Sequence, residues 1–314
     1  MARVVTGAGD RVAYLGPEGT FTEQAARLIM GHDGVDLRPC NDVGDVLRAV
    51  ADGLAARGVV PIENTLEGGV SATLDALAFD TDLLIGGEVE LPISFVLAVP
   101  AGTALGDVDT VSSHPVALAA CRRWLNDALP DAERRPLSST ARAAQQVAEE
   151  GTGAAIANRL AAERYGLEVL AEDIADVPGN RTRFVVVGPE LRAPTGWDKT
   201  SLVVFITVNR PGALLQLLEI FAERDLNLTK IESRPTKAEL GHYCFFLDVE
   251  GHLADERVGD ALSAVKRTHR DVKVLGSYPR SSSPEPAEAE RIAADDRAYR
   301  DAAAWLAAWR DRIG

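Results

Sequence analysis

Apolar and polar positions along the first half of the chain fall into a repeating pair of patterns. "RVAYLG", from Arg11, is a short apolar run, and "TFTEQAARLIM" after it carries apolar residues at helical spacing. The pair recurs as "GVVPI" then "SATLDALAFD", "VDTVSS" then "HPVALAACRRWL", "RRPLSS" then "TARAAQQVAEE", and "GAAIA" then "NRLAAERYG". Strand followed by helix, repeated, predicts an α/β layered fold with a largely parallel sheet. "LPISFVLAVP" (Leu91–Pro100) reads as one long strand and as the crossing into a second lobe.

The pattern breaks at "GPELRAPTGWD" (Gly188–Asp198), where two prolines, two glycines and no periodicity mark a linker. Beyond it "TSLVVFITV", "LNLTKIESRP", "GHYCFFLDVEG" and "DVKVLGSYP" read as strands, and "GALLQLLEIFAERD" and "ADERVGDALSAVKRT" as helices. Their order is β-α-β-β-α-β, the split βαβ plan. "SSSPEPAEAE" is a polar connector. The Ala-rich end, with Trp305 and Trp309 on one face, reads as a helix that docks on a neighbouring subunit. Residues 1–10 read as a frayed leader without the pattern of a signal peptide.

Length and charge narrow this picture. A chain of 314 residues suits two domains, and 46% hydrophobic with 25% charged residues suits a globular protein. The net charge of −14 speaks against nucleic acid and anionic membrane as partners. An anionic small molecule is admitted only where a local Arg or His cluster overrides that field. Cys40, Cys121 and Cys244 are widely spaced, which fits reduced thiols of the cytoplasm and neither a disulfide framework nor a metal site. No apolar run reaches the roughly 18 residues of a membrane span.

Polar side chains recur at the carboxyl ends of predicted strands, where open α/β sheets hold ligands. In "YLGPEGTFTEQAA", Thr20 and Glu23 fit a capping box that starts a helix near Phe21. The glycine loop before it reads either as an anion-binding turn with free N–H groups or as a plain tight turn. In "GVVPIENTLEGGVSATLD", Glu63, Asn64 and Thr65 end a buried strand and Ser71 is the expected cap of the next helix. Ligand contact and simple turn formation are both open there. Ser113 and His114 precede Pro115, so His114 reads as a cap or spacer, with ligand contact and catalysis as the alternatives. "SSTARAAQQ" (Ser138–Gln146) repeats the theme, as a capped helix or as one whose hydroxyls face a ligand. "DVPGNRTRF" (Asp176–Phe184) sets Arg181 and Arg183 on either side of Thr182, and a guanidinium is the natural partner of a carboxylate.

Taken in order, "YLGPEGTFTEQAA", "VVPIENTLEGGV", "SHPVALAACRRWL" and "NRTRF" resemble the prephenate dehydratase family, and "GALLQLLEIFAERDLNLTKIESRP" resembles its regulatory ACT domain. The resemblance covers residues 11 to about 280. It implies a two-lobed, periplasmic-binding-protein-like catalytic domain at 11–188, with a second lobe at about 92–170. A linker at 189–198, a ferredoxin-like βαββαβ ACT domain at 199–279, and a connector with C-terminal helix at 280–314 complete the expected organisation. It implies that prephenate loses CO2 and water to give phenylpyruvate, a hydro-lyase reaction driven by aromatisation that needs no metal or other cofactor. Thr182 would donate a hydrogen bond to the leaving hydroxyl and Arg183 would hold a carboxylate. Asn64 and Thr65 would orient the ring hydroxyl or a carboxylate, with Glu63 beside them. Ser113 and His114 would bind from the other lobe, and Thr20, Phe21 and Phe184 would line the cleft. L-phenylalanine would inhibit from a site between two ACT domains, built from Pro211, Gly212, Ala213, Leu214, Asn227, Glu232, Ser233, Arg234 and Pro235, so a homodimer or homotetramer is expected. No chorismate-mutase-type helices flank the chain, so a monofunctional form is expected. Two positions depart from the family, Ala120 and Val116, where glutamines are usual. Two rival functions are arogenate dehydratase and a non-catalytic amino-acid sensor.

Overall fold

The computed structural model describes residues 11–31, 35–206, 210–237, 242–269, 271–282 and 286–312, with the side chains of the last helix described from residue 296. The leader at 1–10 lies outside the described residues. The chain divides into two compact units, one made of Val89–Val187 with the segment ending at Ala76, the other of Leu77–Glu88 with the chain from Gly188 onward. The expected boundary at 188 is therefore incomplete, because Leu77–Glu88 belongs with the C-terminal unit.

The first unit has two lobes. Its first lobe contains β1 (Arg11–Leu15), α1 (Phe21–Met30), β2 (Asp36–Cys40), α2 (Val43–Ala51), β3 (Arg57–Asn64), the short β4 (Gly68–Gly69) and α3 (Ser71–Asp75). It also takes the end of β5 (Leu84–Pro92). The second lobe holds β6 (Val96–Val99), β7 (Thr110–Ser113), α4 (Pro115–Ala120), α5 (Arg122–Ala128), β8 (Glu133–Pro136), α6 (Thr140–Glu150), β9 (Ala154–Ala157), α7 (Arg159–Arg164) and β10 (Glu168–Ala171). The chain then returns to the first lobe as β11 (Arg181–Gly188). β1 pairs in parallel with β2 and β3, and β11 runs antiparallel to β3. In the second sheet β7 is parallel to β8 and β9, while β6 is antiparallel to β9 and β10.

Leu91–Pro100 is two strands, not one. Pro92 has no N–H to continue a ladder, and the Ile93 N–H donates to the Asn180 carbonyl at 2.8 Å instead. The crossing between lobes occurs at this break and at the return segment before Asn180. Apolar side chains of β1, α1, β3 and β11 form the first lobe's core, and Leu97, Val111, Leu125 and Ile156 lie in that of the second. Phe21 packs against both cores and meets Phe95 edge-on at 5.9 Å.

The second unit carries β12 (Asp198–Phe205), α8 (Ala213–Ala222), β13 (Leu228–Pro235), β14 (Tyr243–Glu250), α9 (Glu256–Thr268), β15 (Asp271–Pro279) and α10 (Pro286–Arg310). Its strands run β13-β14-β12-β15 and are antiparallel, with two helices in βαββαβ order. Leu202, Val204, Leu217, Phe221, Leu247 and Val258 fill the core between sheet and helices. The first half of β5 pairs with β15 at Ile85 and Gly276. Lys199 and Glu88 form an ion pair at 3.0 Å with both side chains buried. On α10, the Glu256 N–H donates to Asp296 at 2.7 Å, while Trp305 and Trp309 are exposed. Among the described residues no helix is long and apolar enough to cross a membrane.

Candidate active site

β3 and β11 build the site by register. Asn64 stands opposite Thr182, and Glu63 opposite Arg183. A bulge after Arg183 re-aims the strand, so that Phe184 turns into the core of the first lobe at 2% exposure. Phe184 is thus a packing residue and does not line the cleft as expected.

The hydrogen bonds around Asn64 fix every amide orientation in turn. The Leu66 and Glu67 backbone N–H groups donate to Asn64 Oδ1 at 2.9 and 3.2 Å, closing an Asx turn. Asn64 must then present Nδ2 to the strand. It donates to Thr182 Oγ1 at 2.8 Å and to Asn180 Oδ1 at 2.9 Å. Thr65 adds its hydroxyl to Asn180 Oδ1 at 3.1 Å and accepts from the Arg181 N–H at 3.0 Å. Thr182 accepts from Asn64, and its own hydroxyl donates to no described residue. Arg183 is buried and its guanidinium meets Glu63 at 3.0 Å.

Other expected site residues are engaged elsewhere. The Thr20 hydroxyl donates to the Leu15 carbonyl and accepts from the Glu23 N–H. The Gly19 N–H, which the anion-binding alternative for this loop would leave free, donates to Glu23 Oε2 at 2.6 Å. The capping box therefore closes on its own loop. Glu23, almost fully buried, also accepts from Arg27 and, across the cleft, from Arg164 at 2.7 Å. A second bond across the lobes runs from the Tyr165 hydroxyl to the Glu18 carbonyl at 3.1 Å. Burial, then the carboxylates of Glu23 and Glu18, raise the Tyr14 phenol above its ordinary range. Ser113 is fully buried and donates to the Ile156 carbonyl at 2.6 Å, a structural bond. His114 caps α4, its Nδ1 accepting from the Val116 N–H at 3.3 Å. Ser71 is the first residue of α3 and not its cap. Ser139 caps α6 through the Arg142 N–H. Burial first and Asp176 second push the Cys121 thiol up to about 12, so it is not a thiolate nucleophile.

Two contributors escaped the sequence reading. Asn180 lies within "NRTRF", yet only the fold shows that it shares hydrogen bonds with Asn64 and Thr65. Asp176 caps α5 from across the chain, accepting from the Arg123 and Trp124 N–H groups at 2.9 and 3.2 Å. Burial alone would raise the Asp176 carboxyl, but those N–H groups and the Arg123 and Arg122 charges outweigh it, and its pKa is lowered. A depressed carboxyl contributes stability that is full above the unfolded value near 3.8 and is lost as pH falls through the folded one. Asp176→Ala should therefore cost about 1 kcal/mol at neutral pH. The gap between variant and parent melting temperatures should close in acid below about pH 4; a gap that persists there would deny the role of the charge.

In the second unit, a cavity of about 430 Å3 is lined by Arg210, Gly212, Ala213, Leu214, Leu215 and Tyr243, among others. Gly212 has φ 82° and opens α8. The Ala213 N–H donates to the Arg210 carbonyl at 3.1 Å. Pro211 sits in the turn before α8, and the Asn227 carbonyl accepts from the Glu250 N–H at 3.0 Å. Glu232 on β13 pairs with Lys230 at 3.0 Å and with Arg234 at 3.5 Å. Pro235 stands opposite Tyr243, and Ser233 opposite Phe245, in the β13–β14 register. Glu232, Ser233, Arg234 and Pro235 do not themselves line the cavity. Among the described residues no group of three or more His, Cys, Asp or Glu is placed to hold a metal ion.

A two-lobed α/β unit with a hydroxyl and amide cluster at a strand end, followed by a βαββαβ unit with its own cavity, defines a small-molecule enzyme or sensor with an appended regulatory module. The prephenate dehydratase family model matches residues 12–191 and the ACT domain model residues 200–267. The chain belongs to the prephenate dehydratase family. It is 47% identical over 283 residues to a prephenate dehydratase of Mycolicibacterium vanbaalenii, covering 85% of this chain and 90% of that one. The crystal structure of prephenate dehydratase from Arthrobacter aurescens in complex with L-Phe superposes with a TM-score of 0.85 at 42% identity, over 96% of this chain and 99% of that chain. A protein described as a novel type of quorum-quenching acylase superposes with a TM-score of 0.77 at 30% identity, over 87% and 98%.

Proposed function

We propose that this chain is a lyase that converts prephenate to phenylpyruvate, with L-phenylalanine as its feedback ligand. The observation that carries the reading is the Asn64-centred hydrogen-bond chain, which makes Thr182 Oγ1 an acceptor and leaves its hydroxyl with no acceptor among the described residues. As the carboxylate leaves the ring carbon as CO2, its bonding electrons enter the ring and the ring C–O bond breaks. The departing oxygen takes up negative charge, and a fixed donor at that oxygen stabilises the transition state more than the ground state. Thr182 supplies the hydrogen bond, and a proton relayed through its hydroxyl from water completes the leaving water. Glu63 holds Arg183 rigid beside it.

The second unit supports control by an amino acid. Its cavity combines an apolar wall with the Arg210 cation, suited to an apolar side chain and a carboxylate. Leu215 and Tyr243 are exposed at its rim, in keeping with assembly of two or four copies across this face. The widely spaced thiols suit the reducing cytoplasm.

The test follows phenylpyruvate from prephenate at neutral pH, with arogenate in parallel and with L-phenylalanine titrated in. Turnover of prephenate that falls as phenylalanine rises is the expected result. Turnover of arogenate alone would replace the substrate. Loss of both, with hydrolysis of an N-acylated amine, would overturn the dehydratase reading in favour of an acylase.

A further inference from the structure

The first unit holds a cavity of about 260 Å3 whose lining includes Leu66, Ala120, Arg122, Arg123, Asp176 and Asn180. It shares Asn180 with the Thr182 cluster, so it opens beside the reacting group. Asn180 is 8% exposed. Its Oδ1 is held by Asn64 and Thr65, while its Nδ2 donates to no described residue. A polar group so placed is ordinarily hydrogen-bonded, and here it lies at a cavity wall.

The charges at the rim are unequal. Arg123 is tied to Asp176, its Nη2 donating to the Asp176 carbonyl at 2.6 Å and its Nε 3.7 Å from the carboxylate. Arg122 is exposed and has no carboxylate within 4.0 Å among the described residues. Two guanidiniums against one carboxylate leave a single positive charge at the rim. The side of the cavity formed by α4 is alanine and offers no side-chain donor. Arg181 and Arg183, on either side of Thr182 in sequence, are already paired with Glu90 and Glu63.

We propose that this cavity is a carboxylate subsite of the substrate cleft, with Arg122 as its cationic anchor and the Asn180 amide as its neutral donor. The assignment rests on the prephenate reading. A guanidinium and an amide N–H are matched donors for the two oxygens of a carboxylate. The volume is ample for a carboxylate-bearing group of a small substrate. A local cation here also overcomes, for an anionic substrate, the repulsion of a chain carrying −14 net charge.

The test is steady-state kinetics on prephenate with the full-length protein. Arg122→Ala should raise KM about 10–100-fold, the worth of a hydrogen bond to a charged group, with kcat within about threefold. Arg122→Lys should fall between the two, since it keeps the charge and loses the fork. Arg48→Ala, on the exposed face of α2, controls for loss of surface charge. Arg122 is exposed, so the melting temperatures of both variants should match the parent. A KM unchanged in Arg122→Ala, or a loss of kcat at constant KM, overturns the subsite. Failure of the unmodified protein to turn over prephenate overturns the functional reading, and the subsite with it, before any variant is compared.

Discussion

Thr182→Val should lower kcat for prephenate by about 10²–10³-fold, the usual cost of one oriented donor at a developing oxyanion. Valine keeps the β-branched shape that suits β11, so the strand and its register with β3 should survive. Two things are lost. On the proposed mechanism the leaving oxygen loses its donor, and Asn64 Nδ2 loses one of its two acceptors. The second loss should cost stability of about 1–3 kcal/mol, read as a lower melting temperature. Thr182→Ser keeps the hydroxyl and should retain most of kcat, separating donor chemistry from packing. If Thr182→Val turned over prephenate at the parent rate, the donor would have to be sought elsewhere, and His114 at the α4 cap would be the next group to replace.

Gly276→Ala should be the most damaging small change in the second unit. A Cβ at Gly276 would lie 2.2 Å from the Ile85 carbonyl oxygen and 2.8 Å from the Ile85 nitrogen. Both are backbone atoms in a paired strand, so no rotamer change relieves the overlap; β15 or β5 must shift. Such overpacking costs about 3 kcal/mol or more. For a unit of this size that is a fall in melting temperature of about 10 °C. Gly106→Ala is the matching control, since nothing lies within 4 Å of its added methyl, and it should stay within about 0.5 kcal/mol of the parent. Equal melting temperatures for the two variants would show that β15 does not approach β5 this closely.

The alternation of strands and helices was legible because each element carries its own period: apolar runs such as Val185–Val187 for a strand buried on both faces, and i, i+3, i+4 spacing on α1. The start of α1 was legible because a capping box is written in four consecutive residues, and Thr20 does accept from the Glu23 N–H. What stayed hidden depends on distance in space. No local pattern says that Glu23 will consume the Gly19 N–H and also take Arg164 from another lobe. The break at Ile93–Phe95 was hidden because the apolar run continues through it, while the interruption is set by Pro92 and by the distant Asn180 carbonyl. The burial of Phe184 was hidden for a related reason: a bulge changes which face a residue takes, and alternation counted along the sequence cannot register it. Asn64, Thr65 and Thr182 were picked out because polar residues at the ends of apolar strands stand out. Asn180, equally central, sits in a turn where asparagine is unremarkable.

The assignment of Leu77–Glu88 to the C-terminal unit bears on how such a chain is inherited. The regulatory unit is not a linear cassette. Lys273 Nζ bonds the Ala78 and Thr81 carbonyls, Glu88 neutralises Lys199, Phe79 meets Phe205 edge-on at 6.0 Å, and Gly276 accommodates Ile85. A crossover in the gene near residue 188 would deliver β12 to β15 without the segment that covers them. It would also leave the donor half with an orphaned strand bearing a buried isoleucine. Exchange of regulatory modules between lineages is then restricted to partners whose residues 77–88 already fit, and the two parts of the chain are held to change together.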